Sequence, residues 1–175
     1  MFEDYIEDAY NLVIAARREA HDRVARRYYR AAVFYAVSSI EAFLSFLGET
    51  LERGGKVAPY EIAFLNDKRF GIVGDSFEVL EQVEFHRLEE KLRFLMKKYV
   101  KQYDLGSEPS WRNFVAFKRF RDELVHPRKT EDELSIQEYD EILKEGLGST
   151  IEIMDVLCKG LFGKGLRKKV TEMSL

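Results

Sequence analysis

The segment from Arg121 to His126 carries the residue types in this chain that are best suited to acid–base and anion chemistry. Arginine binds phosphate or carboxylate groups through paired N–H donors, and histidine exchanges protons near neutral pH. On a helix, Asp122 and His126 are four residues apart, so the carboxylate can meet the imidazole across one turn and fix its tautomer. The spacing therefore predicts a site in which Arg121 binds an anion and His126 transfers a proton.

Arg121 is predicted to lie on the apolar side of its helix. At about 100° per residue, it falls in the middle of an arc formed by Phe114, Phe117, Leu124 and Val125. A guanidinium in that position needs a charged partner or a ligand. A purely structural interpretation stays open, in which His126 is favoured by the helix dipole and Arg121 holds a carboxylate from a neighbouring helix.

Glu41 is our candidate for that carboxylate. It is the only charged residue between positions 30 and 49. It shares one stripe of an otherwise apolar helix with Phe34, Ser38 and Ser45. A lone carboxylate there should be paired. Two roles are open for it: a buried salt bridge that fixes the helix register, or a group that orients Arg121 or His126, with Ser38 as a supporting residue.

The net charge argues against a protein that coats nucleic acid uniformly. The chain has 28 Lys and Arg against 31 Asp and Glu, a formal net charge of −3. A general nucleic-acid-coating protein would be basic overall, so any RNA contact must be a local patch. The best candidates for RNA binding flank the segment, at Arg119, Arg128 and Lys129.

Composition also predicts a soluble cytoplasmic protein without a cofactor or metal. The single cysteine, Cys158, cannot form an intramolecular disulfide, which suits a reducing compartment. Glycines 71 and 74 are not followed by the Lys and Ser/Thr of a phosphate-binding loop. The most apolar stretch, residues 31–47, is interrupted by three serines and Glu41, so we interpret it as a core helix and not as a membrane span. The N-terminus shows no signal-peptide pattern.

The fold is predicted to be all-α, a four- to five-helix up-and-down bundle. The positions of proline and glycine and the spacing of apolar residues predict where the helices lie. The first two run from residue 2 to a break near His21 and from about Asp22 to Arg53, and a short one covers 60–66. The others run from Asp75 to about Lys101, from Ser110 to Leu124 or Val125, and from the capping box at Ser135 onward. Residues 54–75 are the least regular part, and no alternating strand pattern of useful length is evident. We expect one domain over residues 1–162 and a basic, frayed tail over 163–175.

The run Arg121-Asp122-Glu123-Leu124-Val125-His126-Pro127 closely resembles the signature of HEPN domains, named for higher eukaryotes and prokaryotes nucleotide-binding. That family pattern is Arg, a polar residue, several further residues and then His. The run Ala36–Leu44, which contains Glu41, is similar to the second helix of the HEPN fold. The resemblance covers roughly residues 3–162.

The resemblance implies a homodimer paired through the motif helices, with two Arg and two His residues in one cleft. Many HEPN proteins are metal-independent endoribonucleases of toxin–antitoxin, defence or RNA-processing systems. By that analogy His126 is the general acid or base, Arg121 binds the scissile phosphate and Asp122 orients one of them. Asn is frequent where this chain has Asp122. Some members are instead inactive dimerisation modules, antitoxin partners or accessory proteins, so RNA, an antitoxin and an accessory protein are all expected partners, and a membrane is not.

Overall fold

The computed structural model describes residues 1–55, 57–126, 134–173 and 175, and in these ranges the chain is mostly helical. The elements in chain order are α1 Phe2–Arg18, α2 Asp22–Gly54, α3 Pro59–Leu65, β1 Lys68–Val73, β2 Ser76–Val83, α4 Leu88–Tyr99, α5 Pro109–Val125, α6 Ile136–Phe162 and α7 Lys168–Thr171. The predicted mostly helical class is confirmed, and a small two-stranded sheet is added to it.

Helix α2 is the centre of the bundle. It packs against α1 along much of its length and also contacts α6 and α5. Its buried residues recur at helical spacing, and Ile40, Phe43 and Leu47 are completely buried. The helix ends at Gly55, whose φ of 61° is left-handed, a conformation that a glycine adopts without steric cost.

One helix among the described residues, α2, is long and apolar enough to cross a membrane by length and composition alone. Of its most apolar window, 56% is buried inside the bundle against other helices. A core helix of a soluble protein meets the same criterion, so this helix is weak evidence for a membrane span.

Helix α6 begins at the predicted capping box. The Ser135 hydroxyl accepts from the Glu138 N–H, and the Glu138 carboxylate accepts from the Ser135 N–H. Further along, Gly146 faces α5 at very close range: a Cβ built on it would lie 2.2 Å from the ring of Phe117. The glycine therefore lets the motif-bearing helix α5 seat its buried phenylalanine directly against the α6 backbone.

Strand β2 replaces the first half of the helix that was predicted from Asp75 to about Lys101, and β1 lies within residues 54–75, where no strand was predicted. The two strands are antiparallel, with Phe70 opposite Val79 and Ile72 opposite Phe77. A two-residue loop joins them, and its first residue, Gly74, has a φ of 63° as a type II′ hairpin turn requires. Leucines at positions 80, 88, 92 and 95 suggested one continuous helix, but only the last three belong to α4.

The C-terminal segment is docked where a frayed tail was expected. Val170 in α7 is only 2% exposed, and the Leu166 N–H donates to the Asp155 carboxylate at 2.8 Å. Arg167 and Lys169 form ion pairs with Glu3 and Glu7 of α1. The basic residues of this segment thus complement an acidic face of α1, which the local sequence could not reveal.

Candidate functional site

Arg121 and Glu41 form the ion pair that the sequence predicted. Arg121 Nη2 donates to Glu41 Oε1 at 2.9 Å, and this contact joins α5 to α2. The Arg121 side chain is 18% exposed, as expected for its place beyond the buried Phe114 and Phe117. The Glu41 side chain is 44% exposed, so the pair lies at the surface of the bundle and is not the fully buried salt bridge that we had considered.

Asp122 binds two cations and is not hydrogen-bonded to the imidazole of His126. Its Oδ2 lies 2.7 Å from Lys118 Nζ, one helical turn earlier, and its Oδ1 lies 3.1 Å from Arg121 Nε. The carboxylate is therefore positioned to orient Arg121. Of the two orienting roles considered for Asp122, the contacts match the one toward the arginine.

Lys118 extends this chain of charges to a third helix. Its ammonium also lies 3.3 Å from Glu89 Oε1, on α4. Burial lowers the pKa of Lys118, but its contact with Asp122 and the charge of Glu89 outweigh burial, and the pKa is raised. Lys118 therefore stays protonated and holds two carboxylates together.

We call Glu41, Arg121, Asp122, Lys118 and Glu89 the charge chain. It holds three carboxylates and two cations, all linked by the contacts above. Two of its polar atoms, Arg121 Nε and Glu89 Oε2, are buried and make no hydrogen bond within the described ranges. A guanidinium has five N–H donors, and among the described residues only Nη2 makes a hydrogen bond. Because Nε is buried, the terminal Nη groups are the ones that could donate to an oxyanion.

His126 lies just past the end of α5, as Pro127 led us to expect. Its N–H donates to the Asp122 carbonyl at 3.0 Å, which closes the last turn, and its φ and ψ of −124° and 67° are no longer helical. The side chain is exposed. No ion pair or hydrogen bond joins the imidazole to a residue in the described ranges. Within those ranges, neither ring nitrogen is therefore occupied by a partner.

The other predicted residues lie away from this cluster or outside the described residues. Ser38 is partly buried on α2, one turn before Glu41. Arg119 pairs with Glu123 at 3.1 Å and is 81% exposed, about 200° around the helix from Arg121. Arg128 and Lys129 fall in residues 127–133, outside the described ranges, and their placement in a site is untested.

Lys118 and Glu89 are the members of the charge chain that sequence reasoning missed. The signal for Lys118 was present, because Lys118 and Asp122 are four residues apart on one helix. Glu89 had no comparable signal, since its proximity to Lys118 depends on how α4 packs. Among the described residues, no group of three or more His, Cys, Asp or Glu side chains is arranged to hold a metal ion.

Comparison with known proteins assigns no family. No family model matches the chain, and neither a curated protein nor a solved structure matches it significantly. What the fold and site define is a mostly helical protein with an ion-paired arginine and an exposed histidine at one helix end. The resemblance to HEPN domains therefore depends on the residues themselves.

Proposed function

We propose that this protein is a HEPN-like, metal-independent endoribonuclease that works as a homodimer in the cytoplasm. The observation that carries the proposal is that one helix end bears both a guanidinium oriented by carboxylates, Arg121, and an exposed imidazole, His126. An arginine that carboxylates hold in place, and whose guanidinium makes one hydrogen bond within the described residues, suits a phosphodiester. An exposed histidine suits proton transfer near neutral pH.

In the proposed reaction the ribose 2′-hydroxyl attacks the adjacent phosphorus. The 2′-oxygen–phosphorus bond forms, the bond from phosphorus to the 5′-oxygen breaks, and the proton lost from the 2′-hydroxyl is balanced by one gained at the leaving oxygen. His126 takes or gives that proton, with the partner subunit's copy serving the other step. Arg121 stabilises the negative charge that develops on the phosphoryl oxygens. The products are a 2′,3′-cyclic phosphate and a 5′-hydroxyl.

Exposed apolar side chains beside the charge chain support pairing of two copies through α5. Val125 on α5 is 46% exposed, and Phe34 on α2, two turns before Glu41 on the same stripe, is 37% exposed. Such side chains on either side of a charged cluster are typical of a surface that a partner covers. In the homodimer the two motif helices would bring both Arg121 and both His126 residues to one cleft.

The test is cleavage of structured and unstructured RNA by purified protein in EDTA. We expect the wild type to produce 2′,3′-cyclic phosphate ends and His126→Ala to lose at least about a hundredfold in rate, the usual contribution of general acid–base catalysis. His21→Ala is the matched control, because His21 is also exposed, at the start of α2. Equal cleavage by the wild type and His126→Ala, or none by either, would refute the proposal.

A second candidate function is a catalytically inactive dimerisation or interaction module of the same fold. The observation that favours it is the charge chain itself, in which three carboxylates outnumber two cations, a balance that disfavours RNA. In that case Arg121→Ala lowers dimer stability, measured by sedimentation equilibrium, while no RNA is cleaved by any variant. If the Arg121→Ala variant keeps the dimer dissociation constant and the stability of the wild type, this candidate is wrong. An antitoxin or accessory protein is the expected further partner of either form.

A further inference from the structure

The hairpin of β1 and β2 projects an apolar face into solvent. Phe70, Ile72, Phe77 and Val79 lie on one face, because side chains alternate along each strand and Phe70 is opposite Val79 and Ile72 opposite Phe77. Phe77 stacks on Phe70 at 5.6 Å, yet Ile72 and Phe77 are 67% and 68% exposed. We call these four residues the hairpin face. Exposed aromatic and branched side chains in such a cluster indicate a surface that a partner covers.

No described residue outside the hairpin pairs with the outer edge of either strand. Across the described residues, the backbone hydrogen bonds of the hairpin run between β1 and β2, with one more from the Glu84 N–H to the Asp67 carbonyl. Its packing is mainly against α3, more extensively through β1 than through β2. A sheet of two strands is only marginally stable, and a third strand would add main-chain hydrogen bonds. The edge of β2 is the more open of the two.

Charge is divided unequally between the strands. The cations Lys68 and Arg69 are on β1, whereas Glu78, Glu81 and Glu84 lie on or just after β2, and we call these three the acidic edge. The Lys68 ammonium is 3.6 Å from Glu81, which is still 93% exposed. Like charges placed opposite one another destabilise strand pairs. The acidic edge therefore disfavours pairing of β2 with β2 of a second copy, disfavours RNA, and favours a basic partner.

We infer that the β2 edge is a docking site for an extended segment of a partner protein in which apolar and basic residues alternate. The segment adds as a third strand. Its apolar side chains cover the hairpin face beside Phe77 and Val79, and its Lys or Arg side chains pair with the acidic edge. This inference is independent of RNA cleavage, because the hairpin and the charge chain share no residue.

The experiment titrates the full-length protein with a synthetic peptide of about seven residues that alternates lysine and valine, a length typical of a strand. Binding is followed by NMR shifts of the β2 amides. We expect binding about tenfold tighter than for the matched peptide of alternating glutamate and valine. The variant with Glu78→Lys, Glu81→Lys and Glu84→Lys should reverse this preference. These residues are exposed, and circular dichroism confirms that each variant retains its helices.

A second peptide tests the strand geometry. Replacing its central valine by proline removes a main-chain donor, so binding should be lost if the segment pairs as a strand. Equal affinity for the proline peptide, or for the glutamate peptide, overturns the inference. It is also overturned if the lysine peptide does not bind. If the wild type self-associates and Phe77→Ser abolishes this, the hairpin face binds a second copy and the inference is wrong. It is equally wrong if a single-stranded RNA oligonucleotide, and not the peptide, shifts the β2 amides.

Discussion

The Arg121 guanidinium and the Glu41 carboxylate are 80 residues apart in sequence and 2.9 Å apart in the structure. This contact joins the helix that carries the candidate chemistry to the central helix of the bundle. It also fixes one side of Arg121, whose guanidinium makes no other hydrogen bond within the described residues. The direction in which Arg121 points is therefore controlled by a carboxylate on α2 and a second carboxylate beside it on α5.

The first prediction concerns the strength of this pair. A double-mutant cycle with Arg121→Met and Glu41→Gln should give a coupling free energy of about 1 kcal/mol, because Arg121 is mostly buried but Glu41 is not. The measurement is urea unfolding of the wild type, the two single variants and the double variant. The exposed pair of Arg53 and Glu49 is the control, and its cycle should give about 0.3 kcal/mol. Equal coupling in both cycles would contradict the special role of Arg121.

The second prediction concerns Asp122 and depends on the proposed ribonuclease activity. The carboxylate places negative charge 3.1 Å from Arg121 Nε, where it competes with a phosphate. Asp122→Asn should therefore tighten RNA binding and raise kcat/KM, by up to about tenfold. The readouts are RNA affinity at two salt concentrations and initial cleavage rates. A loss of activity in Asp122→Asn would show instead that the carboxylate is needed to hold Arg121 or Lys118 in place.

The third prediction concerns pH and the ion pair that joins α1 to α6. Arg17 donates through Nε and Nη2 to both oxygens of Asp140, at 2.7 and 2.9 Å, and the Tyr29 hydroxyl donates at 2.9 Å. The hydrogen bonds from Arg17 lower the pKa of Asp140 more than burial raises it. A lowered pKa in the folded state stabilises the protein above the ordinary carboxyl pKa of about 3.9, and this stability is lost as the pH falls through the folded value.

Asp140→Asn should therefore lower the free energy of unfolding at pH 7 by about 1 kcal/mol, a moderate value because Arg17 is about one-third exposed. The difference between wild type and variant should shrink as the pH falls below about 4. Urea unfolding at several pH values measures it. A difference that stays constant down to low pH would mean that the ion pair does not stabilise the fold.

The fourth prediction compares two glycines of α6. Alanine at Gly146 would place a methyl group 2.2 Å from the Phe117 ring, so Gly146→Ala should destabilise by about 1–3 kcal/mol despite a better helix propensity. A Cβ at Gly148 meets nothing within 4 Å, so Gly148→Ala should stabilise by up to about 1 kcal/mol. Thermal unfolding of both variants measures the contrast. Similar effects at the two positions would show that α5 can shift away from α6 at no cost.

Local sequence signals predicted the helices α1, α2, α5 and α6 and the partner of Arg121. The α6 capping box and the break before α2 depend on neighbouring residues, and both are confirmed. Glu41 is a lone carboxylate in an apolar helix, and Arg121 is a guanidinium on an apolar arc. Because each needs a partner of opposite charge, the sequence could predict that they pair.

The features that were missed depend on competition between patterns or on tertiary packing. In the hairpin, Gly74 and Asp75 form a two-residue turn, and after it apolar residues recur at odd-numbered positions, as at Phe77, Val79, Val83 and Phe85. We gave more weight to the leucines at helical spacing, which predicted a helix instead. The docking of α7 needs Glu3 and Glu7, more than 150 residues earlier. Glu89 reaches Lys118 only because the fold brings these two side chains of α4 and α5 together, and nothing in the local sequence shows that.

The close approach of Phe117 to Gly146 has a consequence for the orientation of the charged residues. Phe117 lies one turn before Arg121, so the rotation of α5 about its own axis is fixed where the phenylalanine ring meets the bare α6 backbone. A single methyl group added on α6 would turn or displace α5, and with it the guanidinium. The direction of the Arg121 side chain thus depends on the absence of a side chain at Gly146, an uncharged residue of a different helix.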